Sequence, residues 1–329
     1  MEAKRQILSI EEFTANQYGR LMEVYDFAAN LPVSQYADTI ALRLSEIQYR
    51  SSRFVSQHMT FEDYLLNSKK STIDISLIRG VSGFANYGVR ASLQLRRLKE
   101  DDYHAAGQAI ELPPYRNLSM RLSTAIRSRR SLRDMTTKPA TMSDLSTLLF
   151  HACGITGDFK ILASERGEAD LIAVDMDEYS KLRTSPSGGG LYSVYLYIWV
   201  QNVTGLEDGI YLYLPLTHSI ATISTLSAAE RERIQELTNF GPDTDSKNFR
   251  FTVFYVYNIF ENARKYGDMA LILAMIEVGE IAQNIHLACT GMGLASCDIA
   301  AFDKVPCEEY LKLDGLSQQL VHLTIIGNK

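Results

Sequence analysis

The chain has 329 residues, 46% of them hydrophobic and 22% charged, with 8 prolines. This is the composition of an ordinary globular protein, with material for one large domain or two ordinary ones. A formal net charge of -6 argues against nucleic acid as the main partner, because phosphate binding calls for basic surface.

The N-terminus MEAKRQILSIEEFTANQYGR has no apolar signal core, and no segment reads as an uncharged span, so a cytoplasmic location is expected. Residues 1–110 place apolar side chains at helical spacing without any recognisable chemistry, and are read as a helical extension that shapes an entrance, docks a partner or simply caps the core. Pro113-Pro114 then blocks helix and opens a second domain, 111–329. In NLSMRLSTAIRSRRSLRDM, Leu118, Leu122 and Ile126 recur at helical spacing, and the predicted helix delivers Arg127, Arg129, Arg130, Ser131 and Arg133 in one cluster. Guanidinium forks beside a hydroxyl suit a phosphate, although such a cluster alone is usually a solvated face. TMSDLSTLLFHACGITG follows, with Thr141 or Ser143 as helix cap and His151 near the helix end. Residues 157–184 read as a loop or hairpin.

Pro186-Ser187-Gly188-Gly189-Gly190 is a turn whose missing side chains let backbone approach a flat ligand, or simply a turn. Leu191 to Val200 behind it is aromatic and β-branched with period two, a strand, and Gly205 to Pro215 supplies a turn and its hairpin partner. Phe249 to Ala263 reads as another strand leading straight into Lys265-Tyr266, and LVHLTIIGN as the last strand. Between them, Asp268 is a candidate cap for a buried helix that opens on the apolar run Met269 to Ile276 and ends at Gly291 or Gly293. The four cysteines, Cys153, Cys289, Cys297 and Cys307, form no C-x-x-C and the six histidines are scattered, so packed thiols and no metal site are expected.

Taken in order, the Arg-Arg-Ser-x-Arg cluster, the helix ending in GIT, the Pro-Ser-Gly-Gly turn before a strand, Lys-Tyr-Gly before a long helix, and GLASCDIAAFD after it resemble the nitroreductase-like flavoproteins. More narrowly they resemble the SagB-type dehydrogenases, the azoline oxidases of thiazole/oxazole-modified peptide pathways. The resemblance spans roughly residues 100 to 329, and the ordered set is more specific than any one motif. It implies an α+β nitroreductase-like fold, with a mostly antiparallel central sheet flanked by helices, and a homodimer binding FMN at the subunit interface. Arg129, Arg130, Ser131 and Arg133 would hold the FMN phosphate and ribityl side. Pro186, Ser187, Gly188 and Gly189 would lie against the isoalloxazine ring, and Ala300 and Ala301 near its N5 edge.

Lys265 and Tyr266 match the catalytic pair of the azoline oxidases. Unperturbed Lys and Tyr both titrate near 10, so both are poor bases at neutral pH. Burial and mutual proximity would lower the Lys value, and a nearby ammonium would equally favour phenolate, so either could be the base. The implied activity is FMN-dependent oxidation of peptide thiazolines or oxazolines to thiazoles or oxazoles, with oxygen restoring the cofactor and cyclodehydratase subunits as partners. The alternatives are an NAD(P)H-dependent nitroreductase or quinone reductase, and a flavin-free scaffold subunit.

Overall fold

A computed structural model of the chain describes Tyr64, Val89 and residues 92–160, 179–238 and 248–329. The chain divides into two compact units, Met1–Ile75 and Ser76–Lys329, and the account below concerns the second. Most of the helical extension expected over 1–110 lies outside the described residues.

In chain order the elements are α1 (92–105), β1 (Ala109–Glu111), α2 (Leu122–Ser128), β2 (Ala140–Thr141), α3 (Met142–Cys153), β3 (Ile155–Lys160) and β4 (Tyr179–Arg183). After a short 3-10 turn at Gly188–Gly190 come β5 (Val194–Val200), β6 (Val203–Thr204), β7 (Gly209–Leu214), β8 (Ser219–Thr225) and α4 (Ala228–Leu237). The chain closes with β9 (Phe251–Asn258), α5 (Ile259–Tyr266), α6 (Ala270–Met292), β10 (Leu294–Ile299), α7 (Lys304–Tyr310) and β11 (Gln318–Asn328).

A seven-stranded sheet in the order β1-β8-β7-β5-β9-β11-β10 forms the centre, and every neighbouring pair in it runs antiparallel. The aromatic, β-branched runs expected to be strands are its middle: β5, β9 and β11. Successive residues of a strand point to opposite faces, and here both faces are buried. Val194, Leu196 and Ile198 of β5 join Val253 and Tyr255 of β9 in one core with α3 and α6, while Tyr197, Trp199, Phe254 and Val256 join α4 and α7 in the other. The stretch 157–184, read as a loop or hairpin, supplies β4 and most of β3, which pair antiparallel.

Thr141 caps α3 as expected. Its hydroxyl accepts from Asp144 N at 3.1 Å and the Asp144 carboxylate accepts from Thr141 N at 3.0 Å, a reciprocal box that satisfies two orphan amides. α6 forms as expected and ends at Gly293, whose φ of 77° gives the left-handed stop. Its opening apolar run is not all buried, however: Leu271, Met275 and Ile276 are exposed, because α6 lays only one face on the sheet. By length and composition Ile259–Met292 could cross a membrane, which the reading of the sequence did not anticipate, but its inner face is core for this sheet. All four cysteines are buried and unpaired.

Candidate functional site

β9 stops earlier than expected. The Asn258 side chain accepts from Phe260 N at 3.1 Å and starts α5, so Lys265 and Tyr266 stand on the last turn of a helix rather than directly after a strand. Gly267 then breaks the path with φ 53° and ψ -129°, backbone angles that glycine adopts most cheaply. Asp268 lies in the 3-10 turn that follows, and no side chain caps α6, whose N-cap is Met269. Asn262 stiffens the junction: its amide donates to Ala270 O at 2.9 Å and to Ser193 Oγ at 3.4 Å, and its oxygen accepts from Tyr257 OH at 2.8 Å. The angle between α5 and α6 is therefore fixed from inside the core.

The Pro186–Gly190 turn is fixed to the same place by Glu277 of α6, which is 2% exposed. Its carboxylate accepts from Ser187 Oγ at 2.7 Å, Ser193 N at 3.2 Å and Val194 N at 3.1 Å, while Ser187 Oγ accepts from Tyr192 N at 2.8 Å. Burial raises the Glu277 pKa against the pull of these donors. So held, the turn presents bare backbone to Lys265 and Tyr266. A Cβ built on Gly189, where φ is +64°, would lie 2.5 Å from Lys265 Nζ and 2.5 Å from Tyr266 Oη. Both functional atoms thus converge on one point and lie within about 5 Å of each other, the span that a shared 2.5 Å radius allows. Lys265 is 7% exposed, and burial lowers its pKa. Burial raises that of Tyr266, the direction opposite to the phenolate that the sequence left open. Burial therefore favours the neutral amine of Lys265, the form able to take a proton, and the protonated phenol of Tyr266.

Arg129, Arg130, Ser131 and Arg133 are carried differently from the expectation. α2 ends at Ser128, and the cluster lies on the extended segment beyond it, where Ser131 bridges Ser296 of β10 and Leu132 N donates to Ser296 O at 3.0 Å. The helical stripe is also reassigned: Ala125 is buried, whereas Leu122 and Ile126 are 65% and 55% exposed. Among the described residues none of the three guanidiniums has a carboxylate partner, and the Arg129 fork reaches Ser131 Oγ at 3.4 Å. Ala300 and Ala301 follow β10 directly and are exposed. The structure therefore brings Gly189 against Lys265 and Tyr266, sets its neighbours Ser187 and Gly188 against Glu277 and Leu273 of α6, and separately joins the Arg segment with β10. β10 lies three places from β5 in the sheet order, about 14 Å at the usual strand spacing.

Asp298, the penultimate residue of β10, is held by His286 Nε2 at 2.9 Å, His322 Nε2 at 3.3 Å and Thr324 Oγ1 at 2.6 Å. Burial alone would raise its carboxyl, but these donors outweigh burial and hold it well below the ordinary 3.8. A depressed carboxyl adds stability that is present above its unfolded pKa and drains away as pH falls through that range. Asp298→Asn is expected to cost about 1 kcal/mol near neutral pH, since the carboxylate is 40% exposed and screened. Urea midpoints of the two proteins should converge below pH 3.8, and a gap unchanged by pH would refute this account.

Sequence reasoning did not assign Glu277 or Asn262. Their signal was polarity on otherwise buried helix faces, which reads as an anchor only once the partner elements are in place.

The model of the nitroreductase family matches residues 126–328. A Methanocaldococcus jannaschii protein carrying the nitroreductase name is 29% identical over 204 residues, which are 62% of this chain and 89% of the relative. Among solved structures, a Ralstonia eutropha protein that also carries that name superposes with a TM-score of 0.52 at 20% identity, over 67% of this chain and 89% of that one, and shares the fold. A chain of the Escherichia coli microcin synthetase complex aligns over 99% of both chains with a TM-score of 0.49 at 17% identity.

Proposed function

The chain belongs to the nitroreductase family, an oxidoreductase lineage, and from that premise we propose that it is an FMN-dependent dehydrogenase oxidising peptide thiazolines or oxazolines to the aromatic azoles. The observation that carries this reading is the convergence of Lys265 Nζ and Tyr266 Oη on the bare backbone of Gly189. A reductase that only passes electrons from a nicotinamide to an acceptor needs no such base.

The residues present fit the cofactor. Arg129, Arg130 and Arg133 with Ser131 offer guanidinium forks without a competing carboxylate among the described residues, which suits a phosphate dianion. Pro186, Ser187, Gly188 and Gly189 carry no bulky side chain, with Leu273 backing the Cβ side of Gly188 and Lys265 and Tyr266 that of Gly189, so a flat ring would lie along the backbone of the turn; Ala300 and Ala301 offer the same small profile at the end of β10. When bound, the flavin supplies a two-electron acceptor for the hydride that leaves the azoline. Lys265, in its neutral form, takes the proton from the ring carbon between the imine nitrogen side and the peptide carbonyl. Tyr266 keeps its phenolic proton and orients the substrate beside Lys265. Loss of one proton and one hydride leaves the azole.

A second copy of the chain belongs to this reading. Leu122 and Ile126 of α2 and Leu271, Met275 and Ile276 of α6 are exposed apolar side chains, and a homodimer would cover them. The azoline-bearing peptide and the cyclodehydratase that makes it are the expected partners, with residues 1–110 as the docking region.

The test is purification, a flavin absorbance spectrum, and incubation with an azoline peptide followed by mass spectrometry. A yellow protein that removes two hydrogens per ring is expected. A yellow protein that turns over only NAD(P)H would be a reductase of the same fold, and a protein colourless even with added FMN would overturn the reading.

A further inference from the structure

The N-terminal region, in which the sequence shows no chemistry, contributes one side chain to the heart of the site. Val89, Ser92, Leu93, Arg96 and Glu100 recur at helical spacing and are all buried, so α1 turns a stripe of mixed polarity onto the sheet unit. Glu100 fastens the C-terminal half of that stripe, accepting from Leu216 N at 3.2 Å and Thr217 N at 3.0 Å. Arg96 reaches further. Its guanidinium donates to Leu191 O, to Tyr192 O at 2.8 Å and to Glu261 Oε2 at 2.9 Å. The two carbonyls lie immediately beyond the Pro186–Gly190 turn, and Glu261 stands one helical turn before Lys265 on α5. The Tyr195 hydroxyl donates to the second oxygen of Glu261, and the guanidinium sits 5.9 Å from the centroids of both the Tyr192 and Tyr195 rings. One buried guanidinium, through its Nη2, therefore grips both halves of the arrangement at Gly189: the turn that supplies bare backbone and the helix that supplies Lys265 and Tyr266.

We propose that Arg96, paired with Glu261, is a positioning residue that holds α5 against the Gly189 turn, making α1 a working part of the site. The inference rests on Lys265 being the functional amine of the proposed reaction. Lysine in place of arginine would keep the charge but lose the planar guanidinium that lies 5.9 Å from the Tyr192 and Tyr195 ring centroids. Removing Arg96 alone would strand the Glu261 charge in the interior, so the informative variant is the double Arg96→Met, Glu261→Gln, which removes both charges together.

Two measurements test the proposal. In the protein without added flavin, brief treatment with acetic anhydride followed by peptide mapping reads the accessibility of the Lys265 amine. Labelling of Lys265 should rise roughly fivefold in the double variant as α5 loosens locally, and less in Arg96→Lys. In the flavin-loaded protein, kcat for azoline oxidation should fall about tenfold with KM little changed, as expected for a misplaced reacting group. In a Lys265→Ala background the double variant should cost nothing further, because the clamp acts through that amine. Unchanged Lys265 labelling, or an equal loss of rate with and without Lys265, would overturn the proposal. If the wild-type protein oxidises no azoline while the double variant still unmasks Lys265, the assigned reaction fails and the clamp stands.

Discussion

Lys265→Ala is expected to lower azoline oxidation by about 10²- to 10⁴-fold, the range that a general base contributes, while the flavin spectrum persists. The amine is 7% exposed, and burial has shifted it toward its neutral form. The last turn of α5 pulls the other way, since a helix C-terminus favours a cation by about 0.3–1 kcal/mol, yet the net direction remains downward. The sign for activity follows. The base form exists above the folded pKa, so rate rises with pH through a limb below the ordinary lysine value of 10.5 and is lost on the acid side. Tyr266→Phe should cost far less, about tenfold, because a phenol whose pKa is raised keeps its proton and serves only to orient. Initial rates across pH for the three proteins decide the matter. Equal losses in Lys265→Ala and Tyr266→Phe, with the limb moved above 10, would transfer the base to the tyrosine.

Gly189→Ala should cost about 10²-fold in kcat, the penalty of displacing a reacting group by about 1 Å, with a far smaller loss of stability. The new methyl would sit 2.5 Å from both Lys265 Nζ and Tyr266 Oη. Both are ends of flexible side chains, so they can swing aside and the fold persists. What remains for stability is the left-handed backbone at φ +64°, about 1–2 kcal/mol for a residue with a Cβ. Gly190→Ala separates the two effects. Its φ is +67° and a Cβ there meets nothing within 4 Å, so it should show the stability loss with little of the kinetic one. Thermal melts and steady-state kinetics on the pair give the comparison. Similar kcat losses in the two variants would mean that backbone strain, not displacement of the amine, controls the rate.

Much of this molecule was legible before folding because local patterns dictate local structure. The aromatic, β-branched runs became β5, β9 and β11, the Thr141 box started α3, and Gly293 stopped α6. The ordered motifs also pointed to the family that matches residues 126–328. Boundaries were less legible. Asn258 ended β9 five residues before the expected Ala263, through a hydrogen bond to its own neighbour's backbone, Phe260 N, that competes with the strand. Periodicity also identified helical stripes without saying which stripe is covered. Hence Leu122, Ile126 and Ile276 came out exposed, and Arg129 to Arg133 were placed on a helix instead of along β10.

The sequence by itself determined the central strands β5, β9 and β11, the helices α3 and α6, their order and the residue types able to do the chemistry, since each follows from side chains a few positions apart. Only the tertiary structure decided which of those residues meet. Gly189 and Lys265, Ser187 and Glu277, and Arg96 and Tyr192 are each brought together from 76 to 96 positions apart in the chain. Burial decided the rest, lowering the Lys265 pKa and raising that of Tyr266, because the cost of charge depends on what surrounds it, and the surroundings are supplied by distant parts of the chain.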